Sequence, residues 1–441
     1  MGSYACVGGP SVFYGGVAIR FREEDFTPHP EIEGVSNAQW GYSYGDLEPY
    51  YSRVEKILNI AGEVGNDPTA PRRSEPFPQS LNGLSTISRR IEKSSLSLGL
   101  SPFRLPLSIN YSSNSNHGEP CIGCGTCDTF ACAIRAKNDL ATTVLPSLVE
   151  KGLHLTIQTV AIRFQVERNR VVALECYDKS NGERKVFYSE RYILSAGALS
   201  SPHLLLASGL HFLNSGGHAV GHYLMRHCSA IVYGVFPQKI SPLEEFHKQI
   251  GILDFYFGHP SVNFPNGKLG SIQQIQSPPL GLIHASIPKP FGRILGFGKN
   301  HLTGLLILAE DQPQYQNFVT IDRRKMDRFG LPQLLITHRH SNRDYAARDV
   351  LIEKARRILR HAGARFFYVY PMRSFSHAVG TVRMGENPES SALDEYCQFR
   401  GIENLFVVDG SFMPTSAGLN PSLTIAANAL RVGEFLKTMK G

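Results

Sequence analysis

Four cysteines crowd one stretch of the chain: Cys121, Cys124, Cys127 and Cys132, spaced C-x2-C-x2-C-x4-C. Closely spaced thiolates can ligate an iron–sulfur cluster, but the bacterial ferredoxin run continues x3-C-P. Here the fourth cysteine follows four residues and precedes Ala133, and a zinc site would find only His117 nearby. Buried structural thiols are the favoured reading, with a cluster as the alternative. A second pattern is rich in glycine. Gly8, Gly9, Gly15 and Gly16 bracket Ser11, a backbone able to bend tightly and approach a ligand. The third lies near the C-terminus, where an apolar run over residues 404–408 ends at Asp409-Gly410-Ser411. Asn420 then occupies an N-cap position, with Pro421 at N1 of an apolar-periodic helix over 422–438. The partly positive end of that helix, beside a strand's carboxyl end, favours an anion or an electron-rich heterocycle. Taken singly, each has a plainer reading: Asp409-Gly410 is a turn, Asn420 a helix cap, and His377 an ordinary hydrogen-bonded histidine.

The elements that must position these residues are legible in part. Leu47, Tyr50, Tyr51, Val54, Ile57 and Leu58 form a helical stripe over 46–60, and residues 62–80 are rich in Gly, Pro and charge and predict a loop. Residues 155–160, 171–177 and 186–195 are β-branched and aromatic and predict strands. The last runs into Ala196-Gly197-Ala198, after which Ser201-Pro202 opens a short helix closed by Gly209. Strand, small-residue turn and helix are the grammar of an α/β domain. Strand-like segments at 231–236, 304–309, 317–321 and 333–337 alternate with Pro/Gly-rich loops and predict a largely antiparallel sheet of its own. Residues 343–361 form the clearest helix, stopped by Gly363.

A chain of 441 residues suggests two or three domains, and 42% hydrophobic against 19% charged residues excludes a disordered protein. No apolar run approaches the roughly 20 residues of a membrane span, so no transmembrane segment is expected. The first residues lack a basic and an apolar signal region, and the bunched cysteines suit a reducing compartment, so a cytoplasmic location is expected. The net charge of +7 comes from short basic clusters without a recognisable nucleic-acid module, so no nucleic-acid partner is expected.

Several ordered motifs then point one way. His377-Ala378-Val379-Gly380-Thr381-Val382-Arg383-Met384-Gly385, Asn404 through Ser411, and Asn420-Pro421-Ser422-Leu423-Thr424 together resemble the C-terminal signature of the glucose–methanol–choline (GMC) oxidoreductases. Val7-Gly8-Gly9-Pro10-Ser11 through Arg20 resembles that family's glycine-rich segment beside the flavin. Ser195 through Leu206 and Val220 through His227 resemble two further landmarks. The resemblance implies an α/β fold, α+β overall: a discontinuous, Rossmann-like FAD-binding domain with a mainly antiparallel substrate domain. The expected division is FAD domain at 1–45, 121–229 and 376–441, an excursion at 46–120, and a substrate domain at 230–375.

It also implies FAD as cofactor and oxidation of a small-molecule alcohol, sugar or polyol, with oxygen, a quinone or a cytochrome as electron acceptor. A dehydrogenase is slightly favoured over an oxidase if the cysteines pass electrons. His377 matches the base that takes the hydroxyl proton while a hydride passes to flavin N5. Asn420 matches the second catalytic position, where an amide hydrogen-bonds the substrate oxygen. Gly8, Gly9, Ser11, Gly15, Gly16, Val160, Ala196, Gly197, Asp409, Gly410 and Pro421 are the expected flavin contacts. One part of the pattern is missing: no G-x-G-x-x-G occurs, and Gly123-Cys124-Gly125 lacks the third glycine. The FAD domain is therefore expected to be incomplete at its N-terminus. A non-catalytic scaffold without flavin and an iron–sulfur electron-transfer protein are the competing expectations.

Overall fold

The computed structural model describes residues 5–439 except 28, 31, 33–35, 114–117, 241–245, 262–267 and 278–297. Its largest sheet has six strands in the order β1-β7-β8-β9-β6-β12, every pairing antiparallel. These are β1 (Phe103–Arg104), β6 (Cys228–Val235), β7 (Ile250–Ile252), β8 (Gly270–Ile275), β9 (Leu302–Ala309) and β12 (Phe366–Pro371). The helix Asn342–His361 covers one face. Its Ala347, Leu351, Ala355 and Leu359 are fully buried, in one core with Val232, Leu305 and Ile307. Ser341 and Asp344 close a capping box at its start, which ends the helix's unpaired amides where the periodic pattern begins.

Register decides where the chemistry-bearing residues gather. Cys228 faces Ala309 across β6 and β9, Gly270 also faces Ala309 across β8 and β9, and Pro371 faces Ala230. The start of β6, the end of β9, the start of β8 and the exit of β12 thus lie at one end of the sheet. Antiparallel pairing alone brings His227, Asp311, Ser271 and the segment leading to His377 together.

A second body contains a parallel pair, β5 (Tyr192–Leu194) with β13 (Leu405–Val407). It also holds a three-stranded antiparallel ladder of β2 (Thr159–Glu167), β3 (Arg170–Asp178) and β4 (Arg184–Phe187). Leu405, Phe406 and Val407 are all fully buried. The helix Ser422–Thr438 follows β13 and packs on the helix Tyr44–Ile57. No described helix is long and apolar enough to cross a membrane.

Four expectations change. The strand predicted over 186–195 is two strands, because β4 pairs with β3 while β5 pairs with β13 on the far side of a break. The strand predicted at 155–160 begins only at Thr159. The segments at 317–321 and 333–337 do not join the large sheet. They form a separate hairpin, β10 (Phe318–Met326) with β11 (Pro332–Thr337), packed on the helix Ser200–Ala207. Asn420 is not the N-cap: Pro421 is, no side chain caps the helix, and the Pro421 carbonyl accepts from Ile425 N–H at 3.0 Å.

One carboxylate clasps the ends of the parallel pair. Asp409 Oδ2 accepts from Gly197 N–H at 3.0 Å and from the Ser201 hydroxyl, while Oδ1 accepts from Ser411 N–H at 2.9 Å and Ser411 Oγ at 2.6 Å. Asp409→Ala leaves these donors without their acceptor. It is expected to cost roughly 3 kcal/mol, read as a lower denaturant midpoint at unchanged slope. An unchanged midpoint would remove the clasp from the account.

Candidate active site

His377 is placed by the chain opposite it. Met225 and Val379 exchange both backbone hydrogen bonds at 3.0 Å, an antiparallel bridge that sets residue 227 across from residue 377. The two imidazoles meet there, Nδ1 to Nδ1, at 3.0 Å. His227 Nε2 in turn lies 3.0 Å from the Ser416 carbonyl. Arg226 steadies the same segment, donating from Nη1 to the Ser374 carbonyl at 3.1 Å and lying over the Phe375 ring. The His377 ring is half-buried, and its Nε2 has no hydrogen-bond partner among the described residues. Burial first, then the neighbouring His227 and Lys248, push its imidazole down to about 3. It is therefore a neutral ring at physiological pH, with a lone pair available.

Asn420 sits in a loop fastened at alternate residues. Ser416 Oγ donates to Asp311 Oδ1 at 2.7 Å; Gly418 N–H donates to the Tyr256 hydroxyl at 3.0 Å. Gly418 lies so close to Gly270 and the Tyr256 ring that a Cβ there would collide with both. The polarity of the Asn420 amide follows from a chain of bonds. Ser271 Oγ donates to the Gly418 carbonyl at 2.7 Å, so it must accept from Gln273 Nε2 at 3.1 Å. The same NH2 group of Gln273 donates to Asn420 Oδ1 at 2.9 Å. With its oxygen occupied, Asn420 presents Nδ2–H as a donor. Sequence reasoning missed Gln273, which carries no local signal beyond its place in a strand.

Asp311, His338 and His340 form the one group of three close metal-ligating side chains among the described residues. Its hydrogen bonds argue for protons rather than a cation. Arg226 Nε donates to His338 Nδ1 at 3.2 Å, so in the neutral ring Nε2 carries the hydrogen, 3.8 Å from Asp311 Oδ2. His340 Nε2 donates to the His227 carbonyl at 3.2 Å, and burial pushes that imidazole down to about 4. With one N–H facing the carboxylate and the other given to a carbonyl, these two nitrogens are donors rather than ligands.

The expected flavin contacts fall in three places. Gly8, Gly9 and Ser11 lie in a tight turn, Gly8 and Gly9 with φ of 83° and 58°, and Ser11 Oγ donates to the Gly8 carbonyl at 2.6 Å. Gly15 leaves room for the Lys248–Asp128 ion pair, and Gly16 packs near Ile109. Ala196, Gly197, Asp409 and Gly410 follow the ends of β5 and β13, Pro421 starts the C-terminal helix, and Val160 is the second residue of β2 in the separate ladder. The Asp409 carboxylate is fully engaged within the protein.

Two observations suit a flavin. Among the described residues nothing accepts from the amides of Ser422, Leu423 and Thr424 at the uncapped helix start, and Leu423 and Thr424 are buried. Gly9 and Gly197 each face open space, with nothing within 4 Å of where a Cβ would stand.

The cysteine segment is organised by Lys137, whose buried ammonium donates to the carbonyls of Tyr14, Cys127 and Phe130 at 2.6–2.9 Å. Burial pushes the Cys127 thiol up to about 12 and raises Cys121 as well. Cys124 is exposed and Cys132 half-buried; His117 lies outside the described residues.

Comparison with known proteins bears on the family of the chain. Models of the GMC oxidoreductase family match residues 2–229 and 313–429. The chain is 29% identical to 6'''-hydroxyparomomycin C oxidase of Streptomyces lividus, over 98% of this chain and 78% of that protein. Pyridoxine 4-oxidase from Mesorbium loti shares the fold with a TM-score of 0.68 at 18% identity, covering 98% of this chain and 84% of that one. Formate oxidase of Aspergillus oryzae, a protein studied for FAD modification, shares it with a TM-score of 0.64 at 13% identity, covering 98% and 83%. By the extent of these matches and the order of its motifs, the chain belongs to the GMC oxidoreductase family.

Proposed function

We propose that the protein oxidises a CH–OH group of a small alcohol, sugar or polyol with FAD as cofactor. The observation that carries this reading is the presence near one end of the sheet of two groups with capacity to spare: a neutral His377 whose Nε2 has no partner among the described residues, and an Asn420 whose oxygen is occupied so that its NH2 is left to donate. His377 Nε2 takes the hydroxyl proton, and Asn420 Nδ2–H donates to the oxygen as it gains negative charge. FAD, when bound, supplies the acceptor for the hydride leaving the same carbon. The groups that would hold it are the free amides at 422–424, Gly197, and the Gly8-Gly9-Ser11 turn. The family and the names of its relatives support the substrate class; 6'''-hydroxyparomomycin C carries a hydroxyl by its name, and another relative is named as a fructose dehydrogenase large subunit.

The purified protein, reconstituted with FAD if needed, is expected to show flavin absorption that bleaches anaerobically with a polyol or amino-sugar alcohol. A folded protein that stays colourless with excess FAD would overturn the proposal. Reoxidation by oxygen compared with a quinone dye separates oxidase from dehydrogenase. His377→Ala is expected to slow flavin reduction by roughly 10²- to 10⁴-fold while the visible spectrum persists. Full activity in that variant would take His377 out of the mechanism. Because the imidazole is held far below its ordinary value, kcat/KM should show no acid limb near pH 6.5 and should fall only at lower pH. Gln273→Leu frees the Asn420 amide to rotate and is expected to lower kcat about 10-fold, with the fold intact by circular dichroism.

A further inference from the structure

We infer that His227 is a positioning residue: it sets the tautomer of His377 so that Nε2, the nitrogen without a partner among the described residues, carries no proton. The inference rests on the reading of His377 as the base. A carbonyl oxygen can only accept, so the Ser416 carbonyl, 3.0 Å from His227 Nε2, obliges that nitrogen to carry the hydrogen. A neutral imidazole has one donor and one acceptor, which leaves His227 Nδ1 as a lone pair. Its neighbour at 3.0 Å is His377 Nδ1, which must then be the N–H that donates. The remaining nitrogen of His377 is left with its lone pair. A histidine side chain left to itself favours the opposite form, with the hydrogen on Nε2, in which it could not take a proton there.

The arrangement is built into the backbone on both sides. The Met225–Val379 bridge fixes the two rings across from each other. Asp311 accepts from His227 N–H at 3.0 Å and from Ser416 Oγ at 2.7 Å, so one carboxylate holds both the relay ring and the loop whose carbonyl orients it. Ser416 is 1% exposed or less, as is His227, so water does not compete for the Nε2–H bond. When His377 accepts the substrate proton, its Nδ1–H still donates to His227 and no proton needs to move along the chain. The role is the second-layer orientation that a carboxylate or carbonyl plays for many functional histidines, here performed by an imidazole.

The tautomer is read directly by long-range ¹H–¹⁵N correlation on histidine-labelled full-length protein at neutral pH. His377 signals are assigned by their loss in His377→Gln. The expected pattern is a protonated Nδ1 and a pyridine-type Nε2 on His377. A protonated Nε2 in the wild-type protein overturns the inference and needs no further variant. His227→Leu should move the His377 proton to Nε2 and lower kcat by roughly 10- to 100-fold with KM unchanged. His227→Asn, whose Oδ1 can accept in place of Nδ1, should keep the Nδ1–H form and recover most of kcat. An unchanged tautomer in His227→Leu also overturns the inference. The spectra do not depend on turnover, so full activity in His377→Ala takes the base out of the mechanism and leaves the tautomer assignment standing, while a wrong tautomer refutes the role of His227 and leaves the proposed function standing.

Discussion

The arrangement of the site depends on one buried carboxylate. Asp311 lies just past the end of β9 and accepts from three groups on two segments far apart in the chain: the adjacent amides of Arg226 and His227 at 2.8 and 3.0 Å, and the hydroxyl of Ser416. Burial alone would raise its carboxyl, but His338, His227 and His340 around it outweigh that and hold it below the ordinary carboxylate value. An ionised group in such a place is worth keeping only because its donors are already in position. Asp311 therefore does two things at once. It stops the start of β6 from fraying, and it fixes the loop bearing Asn420 against the strand that faces His377. His377 and Asn420 share no hydrogen bond among the described residues; their relation passes through this carboxylate.

The sheet supplies the rigidity that this tie requires. Four strand ends meet at one edge because antiparallel register aligns them, and the helix Asn342–His361 buries the apolar side chains beneath. On the opposite face Ile231, Leu306 and Leu308 pack together, so the sheet is covered on both sides near the site. A polar constellation on strand ends holds its geometry better than one on free loops, because each side chain inherits a backbone fixed by ladder bonds. The loop at 416–420 gains comparable order by another route, one fastening at every second residue.

Much of this was legible where the cause is local. Capping pairs, turn glycines and apolar periodicity locate the helices at 44–57 and 342–361 to within a few residues, and the ordered motifs single out His377 and Asn420. What escaped depends on pairing across long separations. A strand signal at 333–337 does not say that its partner is 317–321 alone, and nothing near Gln273 announces that it will meet a residue 147 positions away. The N-cap assignment failed for a related reason. Asn420 is a good cap by type, but its oxygen is claimed by Gln273, and this tertiary bond leaves the helix amides free. His227 stood inside a recognised motif, yet its relation to His377 needed the Met225–Val379 register.

The two family-model matches leave residues 230–312 between them, and those residues build β6 to β9. His377, Asn420, His227 and the start of the uncapped helix lie inside the matched segments. Gln273, Ser271 and Asp311 lie between them; Gln273 and Ser271 orient the Asn420 amide, and Asp311 holds the His227 backbone. The amide of Asn420 is thus oriented by a part of the chain that the family models do not match.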